Sequence, residues 1–354
     1  MLQNQLTTEQ MAQYLAIVNE IETLRSLTEE EKEKLVRDIM EKPFLDLLCD
    51  VAFKYVFQQD TDSLLLLLND FLPEHIVSVS VRPNELVSPV LDDKKPVLDI
   101  LAETDDGRKI IIEMQQERRK AFFPRLYYYG SKLLAGQLKK GSLYQNLLPV
   151  IVLCFTNFTT MHVGCPKGQL VYEYQHREKV GGGLFTGLHT TYICELPRLA
   201  KKALDSMNPV ETWFYILRNC RNFAEKPAGI DSRYDHVLEA AKTNLVPDKE
   251  RTQYFRAMLS EYDKQDIGEA YFEEGVAKRN LEIAQAMKAE KMDVALICKI
   301  TGLSTEEIEA LLPSLSYRAE ASVSPSFIEV SRKIQVILAG QDVTSRRNRL
   351  SMAI

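Results

Sequence analysis

Asp99 and Glu113 lie fourteen positions apart in the stretch VLDILAETDDGRKIIIEMQ, where apolar and polar residues alternate. Asp105, Asp106 and Gly107 suit a three-residue hairpin loop with the glycine in the left-handed position. Thr104 then pairs with Arg108, Leu98 lies opposite Met114, Ile100 opposite Ile112 and Ala102 opposite Ile110. One face of this predicted hairpin is wholly apolar, and on the other Asp99 stands directly opposite Glu113. A two-residue loop would mix apolar and charged positions on both faces. Opposed carboxylates, about 4.5 to 5.5 Å apart at Cβ, repel unless a cation or a proton intervenes. With no His or Cys nearby, such oxygen ligands favour Mg2+ or Mn2+ over zinc. Gln115 falls on the same face, where its amide can hold a water or a phosphate oxygen. A solvated hairpin face with unrelated charges explains the pattern equally well at this point.

The elements around the hairpin follow from periodicity and caps. Residues 1–42 read as two helices, the second opened by the Thr28–Glu31 capping pair. Asp50 to Phe57 and Ser63 to Phe71 read as two more, the latter stopped by Pro73, and Val77 to Val81 alternates as a strand. Phe122 to Leu138 has helical spacing, with Pro124 near its start and Gly141 beyond its end. Leu148 to Phe155 is a continuous apolar run, as expected of a buried strand. Residues 159–196 alternate short strand-like pieces with turns, including Gly181, Gly182 and Gly183. From Pro197 to about Leu312 the chain is mainly helical and ends in a short helical pair, Ala295 to Thr301 closing at Gly302 and a second helix capped by Ser304 and Glu307. The last forty or so residues hold many Ser, an apolar piece at Ile334 to Leu338 and an SRRNR patch, to which no chemistry is assigned.

The 354 residues are 45% hydrophobic and 27% charged, the composition of a globular protein. The uninterrupted apolar runs, Leu64 to Leu68 among them, are far too short to span a bilayer. The N-terminus lacks a secretory pattern, so the chain reads as cytoplasmic. Six scattered cysteines form no CxxC pair and read as reduced thiols. The net charge of -6 excludes a wholly basic coat, yet Arg108 to Lys140 holds nine Lys and Arg against Glu113 and Glu117. No nucleophile elbow, phosphate-binding glycine loop, HExxH or dinucleotide fingerprint is present.

Several stretches together are similar to one family. DVAFKYVF at Asp50 to Phe57, LLLLLNDFL at Leu64 to Leu72, the LDI around Asp99, IIIEMQ ending at Gln115, and RLYYYGSKLLAGQLKKGSLY from Arg125 to Tyr144 resemble the recombination-promoting nuclease (Rpn-like) transposase family of the PD-(D/E)xK superfamily. ICKITGLSTEEIEAL from Ile297 to Leu311 resembles that family's C-terminal helical pair. The resemblance is weaker between 160 and 295. It implies an α/β fold with a PD-(D/E)xK core, a mixed sheet flanked by helices, and a mainly helical C-terminal region. The organisation expected is a helical extension at 1–42, a nuclease-like core at 43–200, a helical region at 201–312 and a tail at 313–354.

By the same resemblance Asp99 and Glu113 hold Mg2+ or Mn2+, and Gln115 stands where most of the superfamily has lysine. A carboxamide is no base near neutral pH, so more of the water activation falls to the metal. Asp50 and Lys54, one helical turn apart, either add a carboxylate near the metal and a cation for the scissile phosphate, or form an ordinary i,i+4 ion pair. Arg125 and Lys132 either contact flanking DNA phosphates or belong to a solvated basic face. The implied activity is metal-dependent endonucleolytic hydrolysis of DNA, linked to recombination or mobile elements. The alternative is a catalytically weak or inactive nuclease fold serving as a DNA-binding or regulatory module. DNA is the expected partner, with no membrane, and homo-oligomerisation stays open. The helical pair has the spacing of a helix-turn-helix, but Glu306, Glu307 and Glu309 favour a packing or self-association element.

Overall fold

The computed structural model of the protein describes residues 5–84, 97–138, 141–160, 165–166 and 168–311. The serine-rich tail with its apolar piece and SRRNR patch, and Lys139 and Lys140 of the basic stretch, lie outside them. Two compact units are present, residues 1–267 and 268–354.

The first unit opens with helices α1 (Thr8–Glu20), α2 (Glu29–Met40), α3 (Asp50–Gln59) and α4 (Thr61–Phe71). The expected capping box forms at α2, where the Thr28 N–H donates to Glu31 Oε2 at 2.8 Å and the Glu31 N–H to Thr28 Oγ1 at 3.3 Å. Strands β1 (Val79–Arg82), β2 (Ile100–Thr104) and β3 (Lys109–Gln115) follow, then helix α5 (Phe122–Ala135). Strands β4 (Val150–Thr156), β5 (Val171–Arg177) and β6 (Leu184–Glu195) complete a six-stranded sheet of order β1-β2-β3-β4-β6-β5. β4 runs parallel to β3 and β6, and every other pairing is antiparallel. The β3–α5–β4 crossover is what permits parallel neighbours.

The hairpin takes the register set by alternation, with Ile100 opposite Ile112 and Ala102 opposite Ile110. Gly107 closes the loop at φ 84°, and the Thr104 N–H donates to the Arg108 carbonyl at 3.0 Å. Both faces of the sheet are covered, so the second hairpin face is not solvated. Ile100, Ala102, Ile110, Ile112 and Met114 join the main core with α1 to α4, and Leu101 and Ile111 join a second core under Phe122, Leu126 and Leu133 of α5. β4, wholly buried, feeds both. Leu98 departs from the expected apolar face and packs in the second core. The chain bends at Asp99, and Asn84 grips Leu98 from both sides, its carbonyl accepting the Leu98 N–H at 3.0 Å and its Nδ2 donating to the Leu98 carbonyl at 2.8 Å. This grip ends the alternation one residue before β2 begins.

Helices α6 (Pro209–Asn219) and α7 (Asp235–Ala240) and the first turns of α8 (Asp248–Ala289) belong to the main core through Trp213, Val237, Tyr254 and Leu259. The second unit contains the end of α8 with α9 (Val294–Thr301) and α10 (Thr305–Ala310), built around Ala284, Ile297 and Ile308. Gly302 ends α9 in the left-handed conformation, Ser304 and Glu307 cap α10, and Lys288 Nζ donates to the carbonyls of Ile308, Glu309 and Leu311 at 2.7 to 2.9 Å.

Candidate active site

The site forms where β3 ends beside the bend before β2, at the carboxyl end of a parallel strand, a usual place for ligands in α/β sheets. At Asp99 the main-chain ladder gives way to side chains. The Asp99 N–H donates to Glu113 Oε1 at 3.1 Å, and the Met114 N–H donates to Asp99 Oδ2 at 2.8 Å. The two acids thus grip each other's strands, and both are buried, Asp99 to 7% and Glu113 to 2% exposure.

Helix α3 supplies the nearest cation. Gln116 Nε2 donates to the Leu48 carbonyl at 2.8 Å, tying the end of β3 to the chain entering α3. Lys54 consequently sits between two acids, its Nζ 3.1 Å from Asp99 Oδ1 and 3.4 Å from Asp50 Oδ2. The i,i+4 pair exists, but Lys54 lies closer to Asp99 than to Asp50. On the other side, Gln115 Nε2 donates to Glu113 Oε2 at 3.1 Å, and Arg125 of α5 donates to Gln115 Oε1. The carboxamide expected to be available for a water or a phosphate is therefore engaged at both ends. Arg125 also lies 5.9 Å from the Tyr129 ring centroid, and its buried Nε has no hydrogen-bond partner among the described residues.

Electrostatics follow from this burial. Desolvation, and then the charge of Asp99, push Glu113 up to about 8. Asp99 is raised by desolvation, against the pull of Lys54. For Lys54, desolvation works downward, but Asp99 and Asp50 outweigh it and hold the ammonium above its ordinary range. Glu195, at the end of β6, is equally buried yet answered locally: Thr160 gives it an N–H at 2.5 Å and a hydroxyl at 2.7 Å, and Arg198 covers the other oxygen. The Asp99–Glu113 pair is left with more negative charge than its neighbours offset.

A cavity of about 480 Å³ opens on this cluster. Asp50, Lys54, Asp99, Glu113, Gln115 and Arg125 all line it. Lys132 does not, its Nζ resting 3.3 Å from the Tyr128 hydroxyl further along α5. The sequence reading missed Arg119 and Tyr129, and missed an entire wall from α8 made by Ala257, Ser260, Glu261 and Lys264. The Tyr254 hydroxyl holds α8 there by accepting the Asp46 N–H at 3.0 Å, a contact across 208 positions that no local pattern announces.

Among the described residues, no group of three His, Cys, Asp or Glu side chains is gathered closely enough to hold a metal alone. Two buried carboxylates with excess negative charge still fit a hard divalent cation, because Mg2+ is commonly held by one or two carboxylates while water and substrate oxygens complete its shell.

Residues 47–270 match the family model of the PD-(D/E)XK nuclease family transposase, and residues 278–313 match that of the C-terminal HTH domain of the Rpn/YhgA-like nuclease family. The first match takes in much of the stretch beyond residue 160, where the sequence resemblance was weak. No curated protein and no solved structure gives a match. No helix among the described residues is long and apolar enough to cross a membrane.

Proposed function

The chain belongs to the PD-(D/E)XK nuclease family of transposase type, and from that premise we propose that it hydrolyses DNA phosphodiester bonds endonucleolytically with Mg2+ or Mn2+ held by Asp99 and Glu113. The observation that carries this reading is the buried, under-neutralised carboxylate pair opening on a cavity that also holds Lys54, Gln115 and Arg125. A bound metal supplies a water of lowered pKa and offsets the charge that builds on the phosphate.

The chain's own residues then divide the remaining work. Lys54, kept cationic by Asp50 and Asp99, cannot accept a proton near neutral pH and acts as a fixed positive charge for a phosphate oxygen. Gln115 orients Glu113 by donating to its Oε2, and Arg125 fixes which way the Gln115 amide points. None of the three is a general base. The test is cleavage of supercoiled and linear DNA by purified protein with Mg2+ or Mn2+. Absence of cleavage on every DNA form, or an Asp99→Ala protein that cleaves like the parent, would contradict the proposal.

One observation favours a second reading. Each oxygen of the two carboxylates already accepts from a donor within the chain, an arrangement that also suits a nuclease fold retained for DNA binding without turnover. Salt-dependent DNA affinity without metal-dependent product would support that reading. The match at 278–313 to an HTH domain supports a DNA contact by this unit, although the acids of α10 oppose a direct approach of that helix to phosphates.

A further inference from the structure

Outside the cavity, the outer face of α5 and the adjoining strand β5 carry several exposed rings. Tyr127 is 53% exposed, Phe123 40%, and Tyr128 and Tyr174 each 37%. Tyr172 belongs to the core beneath α5, so alternation turns Tyr174 toward the same side of the sheet. His176 reaches that side too, its Nε2 lying 3.2 Å from the Tyr127 hydroxyl, while the Tyr127 ring centroid lies 5.2 Å from that of His189 on β6. The tyrosine is thus braced by two imidazoles with more than half its surface in solvent.

The chain entering α5 is also basic. Arg118, Arg119 and Lys120, directly before α5, are exposed, and their side chains form no ion pair or hydrogen bond among the described residues. No acidic residue occurs between Arg118 and Ala135. Arg119 lines the cavity of the candidate site, so the strip runs outward from it. Braced rings on a helix whose approach carries unneutralised cations match what an unpaired strand offers, since its phosphates meet the cations and its bases have open faces to stack. In a duplex those faces are already stacked on one another.

We infer that the α5 and β5 surface binds a single-stranded nucleic-acid segment and leads it to the Asp99–Glu113 cavity. This deepens the nuclease reading and rests on it for its purpose, though not for its test. Binding is measured by fluorescence anisotropy on the full chain in EDTA, which keeps cleavage out, with oligo(dT), oligo(U) of equal length, and the duplex of the oligo(dT) with oligo(dA). Single strands bind at least about tenfold more tightly than the duplex, and Tyr127→Ala loses on the order of tenfold while Tyr127→Phe does not. Should Tyr127→Ala fail to fold, the surface pair Arg118→Ala with Lys120→Ala serves instead, lowering single-strand affinity and flattening its salt dependence. The oligo(dT) and oligo(U) arms tell a DNA strand from an RNA strand. Equal or tighter duplex binding overturns the inference, as does a folded Tyr127→Ala, or a folded Arg118→Ala/Lys120→Ala, that binds like the parent. Strand preference without any DNA cleavage would remove the nuclease reading and leave this surface standing, whereas cleavage without strand preference would do the reverse.

Discussion

At Glu113 a carboxyl group is pushed from its usual range to about 8, first by burial and then by the neighbouring Asp99 charge. The folded protein therefore keeps a proton that the unfolded chain releases, and the sign of the stability effect follows. Without divalent metal, stability contributed by this group is present below about 4.5 and is lost as pH rises toward 8. Melting temperatures of the metal-free protein should fall across that window, and Glu113→Gln should flatten the fall. A steeper fall in Glu113→Gln would contradict the assignment. Metal binding must displace the same proton, so Mg2+ should raise the melting temperature more at pH 8 than at pH 5. Lys54→Met removes the cation between Asp99 and Asp50, and cleavage should drop by about tenfold or more while Arg125, on the opposite side, still holds Gln115. A Lys54→Met protein with unchanged rate would leave Lys54 a structural ion pair only.

Among the elements, α5 is the one whose seating most affects the site, because Arg125 comes from it. Gly130 brings α5 onto β6 so closely that an added Cβ would run into the buried His189 ring. Gly130→Ala should cost about 1 to 3 kcal/mol by overpacking, read from denaturant unfolding, and should weaken cleavage by displacing Arg125. At α10, Glu306→Lys with Glu309→Lys should leave DNA affinity unchanged if the helical pair packs rather than reads DNA, and a rise would show that the acids had been repelling phosphates. The hairpin register was legible because a one-residue slip would have mixed apolar and charged positions on both faces. Leu98 was misassigned because the bend depends on Asn84, which is remote from the alternating stretch. The pairing of Lys54 with Asp50 was legible but its pairing with Asp99 was not, since spacing on a helix reports neighbours one turn away and not Asp99 across the fold.

Over the whole molecule, the first unit gathers residues from α3, the bend before β2, β3, α5 and α8 around one cavity, and its family match runs from residue 47 to 270. A net charge of -6 is compatible with a nucleic-acid substrate here because Arg119, within the exposed basic run Arg118 to Lys120 whose side chains have no ion-pair partner among the described residues, lines that cavity. The acids lie deeper, where a metal can answer them. The carboxylate pair was readable from alternation and family likeness, whereas the α8 wall was not, because a helix far along the chain reaches the site only through tertiary contacts such as that of Tyr254 with Asp46. The most direct test of the central claim is Mg2+-dependent cleavage of DNA by the parent and by Asp99→Asn, a change that keeps an acceptor for the Met114 N–H. The account predicts cleavage by the parent and a loss of about a hundredfold or more in the variant; equal cleavage by both proteins would contradict it.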